Sequence, residues 1–257
     1  MKSLVDRWLG LGNMDFSPGW LFYDNLSRML SPYELNPLDA NPLRDVLAEV
    51  VDFAALAEQC SRHVVTLFLC ATNVENGRIK VFEGNEIGLD AVMASACLPY
   101  LFQAVEVNGA HYWEGGFSGN PPLFPLIYGT DCADVLIIQI NPINIDGVPK
   151  TARAILDRMN TLSFNSSLMG EMRAIHFVTR LIDEERLDRD RYKRLNIHTI
   201  DAEDVFETLG VSSKVNADPA FLRALFELGR ERCARFVDAH FDKIGLESSA
   251  DIEATFL

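Results

Sequence analysis

One carboxylate in this 257-residue chain sits where chemistry could be done: Glu114, on the turn Tyr112-Trp113-Glu114-Gly115-Gly116. Two glycines permit backbone geometry that other residues resist, so the turn can hold its acid at a fixed point. The bland alternative is an exposed turn carboxylate. His111 and Ser118 flank Glu114 and invite a Ser-His-carboxylate triad, with His as base and the carboxylate orienting it. All three fall within one hairpin and its turn, without a sharp elbow to strain and expose the Ser, so turn hydrogen bonding is the better account of Ser118. Ser95 lies inside an apolar helix, where a hydroxyl bonds back to a helix carbonyl. Gly116-Phe117-Ser118-Gly119 has the wrong spacing for the nucleophile motif G-x-S-x-G, and that motif occurs nowhere in the chain. His63, His176, His198 and His240 lack the H-x-x-x-H spacing that sets two ligands on one helix face, so no metal site and no cofactor are expected.

These residues need elements to position them. Val64 to Cys70 and Val135 to Ile140 are short, continuous apolar runs rich in β-branched residues, the pattern of strands buried on both faces of a parallel sheet. Between them lie an extended stretch at Ile79 to Phe82, an apolar helix at Leu89 to Ala96, and two strand-like runs, Ala104 to Val107 and Ala110 to Trp113. Asn108-Gly109 joins those two runs and predicts a hairpin, which puts Glu114 just past its second arm. Asp131 and Asp134 precede the second apolar run, at the end opposite to that where such sheets bind ligands, and are read as structural. Upstream, Met1 to Gly12 reads as a helix end and Met14 to Pro42 as a helical cap. Its Trp20, Phe22 and Tyr23 either pack it against the sheet, the favoured reading, or line an entrance. The Asn-Pro pairs in Tyr33 to Pro42 mark turns, and Leu43 to Glu58 reads as one amphipathic helix. From Thr151 the pattern is of long helices: Ala152 to Arg189, ending in a solvated charge run, then a strand at Leu195 to Ile200. A helix follows, started by Asp218-Pro219 and carrying an apolar stripe through Phe221, Leu222, Leu225, Phe226, Cys233, Phe236, Val237 and Phe241.

The stretch from Ala94 to Asn120 resembles the second half of the patatin-like phospholipase domain. That family carries A-S-x-x-x-P…F, then Y-x-D-G-G/A, then N-x-P, matched here by Ala94, Ser95, Pro99 and Phe102, by Tyr112 to Gly116, and by Asn120 and Pro122. Glu114 stands where the family has its catalytic Asp. The resemblance implies a patatin-like α/β fold with a mainly parallel sheet flanked by helices. It implies a serine acyl hydrolase acting on phospholipids or other acyl esters through an acyl-enzyme. There Glu114 is the catalytic carboxylate, Gly115, Gly116 and Asn120 shape the site, and the nucleophile is absent from this chain. The family's elbow and Gly-rich oxyanion loop precede the Asp turn, so the chain reads as truncated at its N-terminus. Residues 1–145 are expected to form the C-terminal part of the hydrolase domain and 146–257 a mostly helical extension. A catalytically silent family member serving as a binding or interaction module is the alternative.

A net charge of −14 argues against nucleic acid and against electrostatic docking on anionic membranes, both of which need clustered Lys and Arg. A lipid or acyl-ester substrate, reached by transient membrane contact, is compatible. Five Cys without C-x-x-C spacing fit a reducing compartment, and the charged start shows no secretion signal, so a cytoplasmic protein, at most peripheral to a membrane, is expected. Losing the elbow half would uncover sheet edge and apolar surface, which favours self-association.

Overall fold

The computed structural model describes residues 18–62 and 65–257. The expected helix end at Met1 to Gly12, His63, and Val64 at the start of the first apolar run lie outside the described residues, as do the side chains of Trp20 and Tyr23. The described residues divide into two compact units, a first of Phe22–Pro125 and a second that begins at Leu126 and also takes residues 18–21.

The first unit begins with short helices. Helix α1 (Pro18–Met29) carries Phe22, 70% exposed and so not packed into a core. After α2 (Pro32–Leu35), Asn36 bonds both backbone groups of Ala40 through its side-chain amide, making the turn that its Pro neighbour favours. Asn41 then caps α3 (Pro42–Val50), with Pro at the first helical position. The single helix expected over Leu43 to Glu58 is two: Asp52 accepts the Ala55 N–H at 2.9 Å and starts α4 (Phe53–Ser61). A short acidic side chain competes better at a helix start than inside a helix.

Four strands follow: β1 (Phe68–Asn73), β2 (Ile79–Glu83), β3 (Val105–Val107) and β4 (Ala110–Glu114), in the order β2-β1-β4-β3. Every pairing is antiparallel. This corrects the expectation of a mainly parallel sheet. The β1–β2 connection is only a few residues long, and parallel neighbours need a crossover of a dozen or more. The apolar run of β1 is half-buried along most of its length, not enclosed on both faces. Asn108 (φ 53°) and Gly109 (φ 80°) make the hairpin turn between β3 and β4 as expected. Helix α5 (Leu89–Ser95) packs on this sheet through Ala91 and Ala94, in a core with Ala71, Phe82, Ile87 and Tyr112. The Phe82 and Tyr112 rings meet edge to face at 5.5 Å.

In the second unit β5 (Asp134–Gln139) and β6 (Asn196–Asp201) pair in parallel across a crossover containing the 32-residue helix Ala152–Asp183. Among the described residues this is the only parallel pairing. The charge run after that helix is folded back, with Asp183 taking Arg194 Nε at 2.9 Å and Nη2 at 3.1 Å. Asp218 caps helix Pro219–His240 by accepting the N–H groups of Ala220 and Phe221, both at 2.9 Å. The apolar stripe expected on that helix splits in two: Phe221 and Phe236 are buried, whereas Leu222, Phe226, Val237 and Phe241 face outward. Adjacent apolar positions on a helix point about 100° apart, so eight such residues cannot share one face.

Candidate active site

Glu114 is the last residue of β4, with its Cα opposite Ala71 of β1. Two hydrogen bonds fix its backbone. Its N–H donates to the Cys97 carbonyl at 2.9 Å, and its carbonyl accepts from Thr72 Oγ1 at 2.8 Å. The first bond ties together the two motif segments that the sequence places well apart, because Cys97 belongs to the A-S-x-x-x-P segment closing α5. A 3-10 turn, Gly115–Phe117, follows at once. Ser118 and Gly119 both donate backbone N–H groups to the Gly115 carbonyl, at 3.0 and 2.9 Å.

Gly115 is buried, and a Cβ there would lie 2.5 Å from the Cys70 carbonyl oxygen and 2.8 Å from its carbon. Backbone cannot yield as a flexible side chain can, so the turn passes β1 only because residue 115 has no side chain. At Gly119 a Cβ would meet the Ile79 side chain at 2.7 Å. Gly116 lies within the 3-10 turn, and Asn120 joins Pro121 through a cis peptide.

Side-chain alternation along β4 puts Glu114 on the face of Tyr112 and His111 on the other. His111 turns to a different acid: its Nδ1 lies 2.8 Å from Glu75 Oε1, and this contact with His111 holds the Glu75 carboxyl below its ordinary value. Ser118 Oγ donates to the Gly77 carbonyl at 3.0 Å. The structure therefore does not assemble Ser118, His111 and Glu114 into a relay, and the Ser118 hydroxyl reaches the β1–β2 connection instead of bonding within its own turn. Ser95 ends α5, half-buried. The Cys97 thiol beside the Glu114–Cys97 backbone bond is held neutral. Burial pushes its thiol up to about 11, with the Asp39 and Glu114 charges adding to the rise, and its Sγ donates to the Gln103 carbonyl at 3.1 Å.

The second unit holds a polar cluster that spacing alone did not signal. His198, 1% exposed, has Nε2 at 3.1 Å from Asp134 Oδ1 and Nδ1 at 2.9 Å from Ser249 Oγ. Asp134 Oδ1 also accepts the Gly245 N–H at 2.8 Å and Asn196 Nδ2 at 3.2 Å. Residues more than a hundred positions apart meet here, and only the parallel pairing of β5 with β6 could have foretold part of it. Ser249 and its neighbours lie along the outer edge of β6: Ser248 Oγ accepts the Ile197 N–H, and Ser249 and Ala250 donate to the Ile197 carbonyl. The cluster is a structural fastening of the C-terminal segment. Among the described residues no three His, Cys, Asp or Glu side chains gather as metal ligands, and no helix is long and apolar enough to cross a membrane.

Residues 6–127 match the family model for the patatin-like phospholipase. No curated protein matches the chain.

Proposed function

We propose that this chain, whose residues 6–127 match the family model for the patatin-like phospholipase, carries the carboxylate side of a lipid acyl hydrolase site, with Glu114 as the catalytic carboxylate and no nucleophile of its own. The observation that supports this most is the Glu114 N–H bond to the Cys97 carbonyl, which brings the two family motifs onto one acid. In the acyl-enzyme scheme such a carboxylate takes the proton of a Ser hydroxyl as its oxygen attacks the ester carbonyl, and gives that proton to the alcohol that leaves. It then takes a proton from water, whose oxygen attacks the acyl carbonyl, and returns it to the Ser oxygen as the carboxylic acid departs. Gly115, Gly116 and Asn120 set its position. The hydrolase part is placed in residues 1–145, with 146–257 as its extension. A net charge of −14 favours neutral or zwitterionic lipid, met by transient contact of a cytoplasmic protein with a membrane.

A second reading, a non-catalytic binding module, is favoured by Glu in place of Asp at 114 and by the lack of G-x-S-x-G. A fluorophosphonate probe, read by intact mass and modified peptide beside hydrolysis of a short-chain ester, tests the proposal. No adduct and no turnover by folded protein are expected. An adduct at Ser118 or Ser95 with turnover would show that the chain holds its own nucleophile and sink the proposal. Sedimentation with phosphatidylcholine vesicles separates the second reading, which expects the chain to pellet stably with the vesicles, from the first, whose transient contact leaves it in the supernatant.

A further inference from the structure

Among the described residues, one strand of the second unit is paired on one side alone. The outer edge of β6 is covered by Ser248 to Ala250, but among the described residues β5 has no strand on its other edge. Its side chains alternate sharply. Val135, Ile137 and Gln139 are buried, while Leu136, Ile138 and Ile140 are 48%, 72% and 63% exposed. Edge strands are normally guarded by Lys, Pro, a bulge or brevity. Residues 134–140 contain no Pro, Lys or Arg, and their only charged side chain is Asp134 at the start.

We infer that β5 is a self-pairing surface, joining a second copy of this chain in an antiparallel ladder about a two-fold axis at Ile138. Two features of the strand select this partner and direction. Antiparallel pairing sets Leu136 of one copy opposite Ile140 of the other, and Ile138 opposite itself, so every exposed apolar residue meets another. It also leaves the two Asp134 residues eight positions apart along the ladder, about 26 Å at roughly 3.3 Å per residue. Parallel stacking would set Asp134 beside Asp134, the like-charge opposition that destabilises a sheet. The antiparallel arrangement uses up both open edges and closes as a dimer. A ladder this short covers less than a standard interface, and each copy carries −14, so association is weak and strengthens as salt screens the repulsion.

Sedimentation of the purified full chain across a concentration series tests this. A monomer–dimer equilibrium is expected, its midpoint moving to lower concentration between about 0.01 and about 0.15 M salt. Ile138→Lys, at an exposed position, keeps the far-ultraviolet spectrum and melt of the parent. It weakens association by at least about tenfold, because two cations would face each other on the axis. Leu222→Gln, at an exposed position of helix Pro219–His240, leaves the midpoint unchanged. In a Cys132→Ser, Cys233→Ser background, Ile138→Cys forms a disulfide-linked dimer on mild oxidation, since the Cα atoms of a hydrogen-bonded antiparallel pair lie about 5.5 Å apart, within the span of a disulfide. A monomer up to about 1 mM, well beyond even weak interfaces, overturns the inference. So do an open-ended series of oligomers, or dimers that ignore Ile138→Lys and form no disulfide in the Ile138→Cys variant. None of these outcomes bears on Glu114, which the probe experiment judges separately.

Discussion

Gly115 decides where the Glu114 carboxylate leaves the sheet. The turn runs so close to β1 that a methyl group at 115 would stand 2.5 Å from the Cys70 carbonyl oxygen. Gly115→Ala must therefore push the turn away from β1 and strain the Glu114–Cys97 and Glu114–Thr72 bonds on either side of it. A loss of about 1–3 kcal/mol is expected from overpacking against rigid backbone, measured as a lower urea midpoint at unchanged slope. A melt indistinguishable from the parent would mean that the turn has slack and that Gly115 does not fix the acid. The sequence shows two glycines after an acid and supports a tight turn. The reason for the first glycine, a carbonyl on a strand more than forty residues earlier, is tertiary and leaves no trace in local spacing. Glu at 114 bears on reach: a base must come within hydrogen-bond distance of its proton, and Glu is one methylene longer than Asp.

At the scale of elements, Asp134 clamps the start of β5 to β6 and to the C-terminal segment. Its carboxyl is held below the ordinary value, chiefly by the Gly245 N–H and further by His198 and Asn196, against the opposing effect of burial. A carboxyl depressed in the folded state contributes stability above its unfolded pKa, about 3.9, and that contribution is lost as pH falls through the depressed folded value. Asp134→Asn should cost about 1–2 kcal/mol near neutral pH, a charge-assisted bond being exchanged for a weaker one. The gap between variant and parent should close as pH drops below about 4. Urea midpoints taken at both pH values check this, and a gap that is constant with pH would remove the carboxylate from the account. Local signals were legible where chemistry is local: Asn108-Gly109 as a hairpin, Asp218-Pro219 as a helix start, Leu195 to Ile200 as a strand. What escaped was partnership. An apolar run such as Phe68–Cys70 fits a strand in either direction, and only the short connection after Asn73 makes its neighbour antiparallel. The stripe on helix Pro219–His240 failed likewise, since apolar content does not say which residues find a core.

For the whole molecule, composition was the most legible level, and it leads to a prediction independent of either proposal. Thirty-seven acidic side chains against 23 basic ones leave −14 spread over 257 residues. The visible ion pairs are mainly exposed, among them Arg62 with Glu58 and Arg44 with Asp90, and such pairs are each worth little. Net repulsion therefore outweighs attraction in the folded chain, and unfolding relieves it by spreading the charges apart. Raising salt from about 0.01 to about 0.15 M shortens the screening length from about 30 to about 8 Å, below the span of a compact unit but above the length of a close ion pair. Long-range repulsion is screened first, so the melting temperature should rise with salt. Melts of the Ile138→Lys variant, at concentrations where it stays monomeric, keep this effect apart from salt-driven pairing of β5. A melting temperature that falls with salt would mean that close pairs such as Asp183 with Arg194 dominate the electrostatics after all.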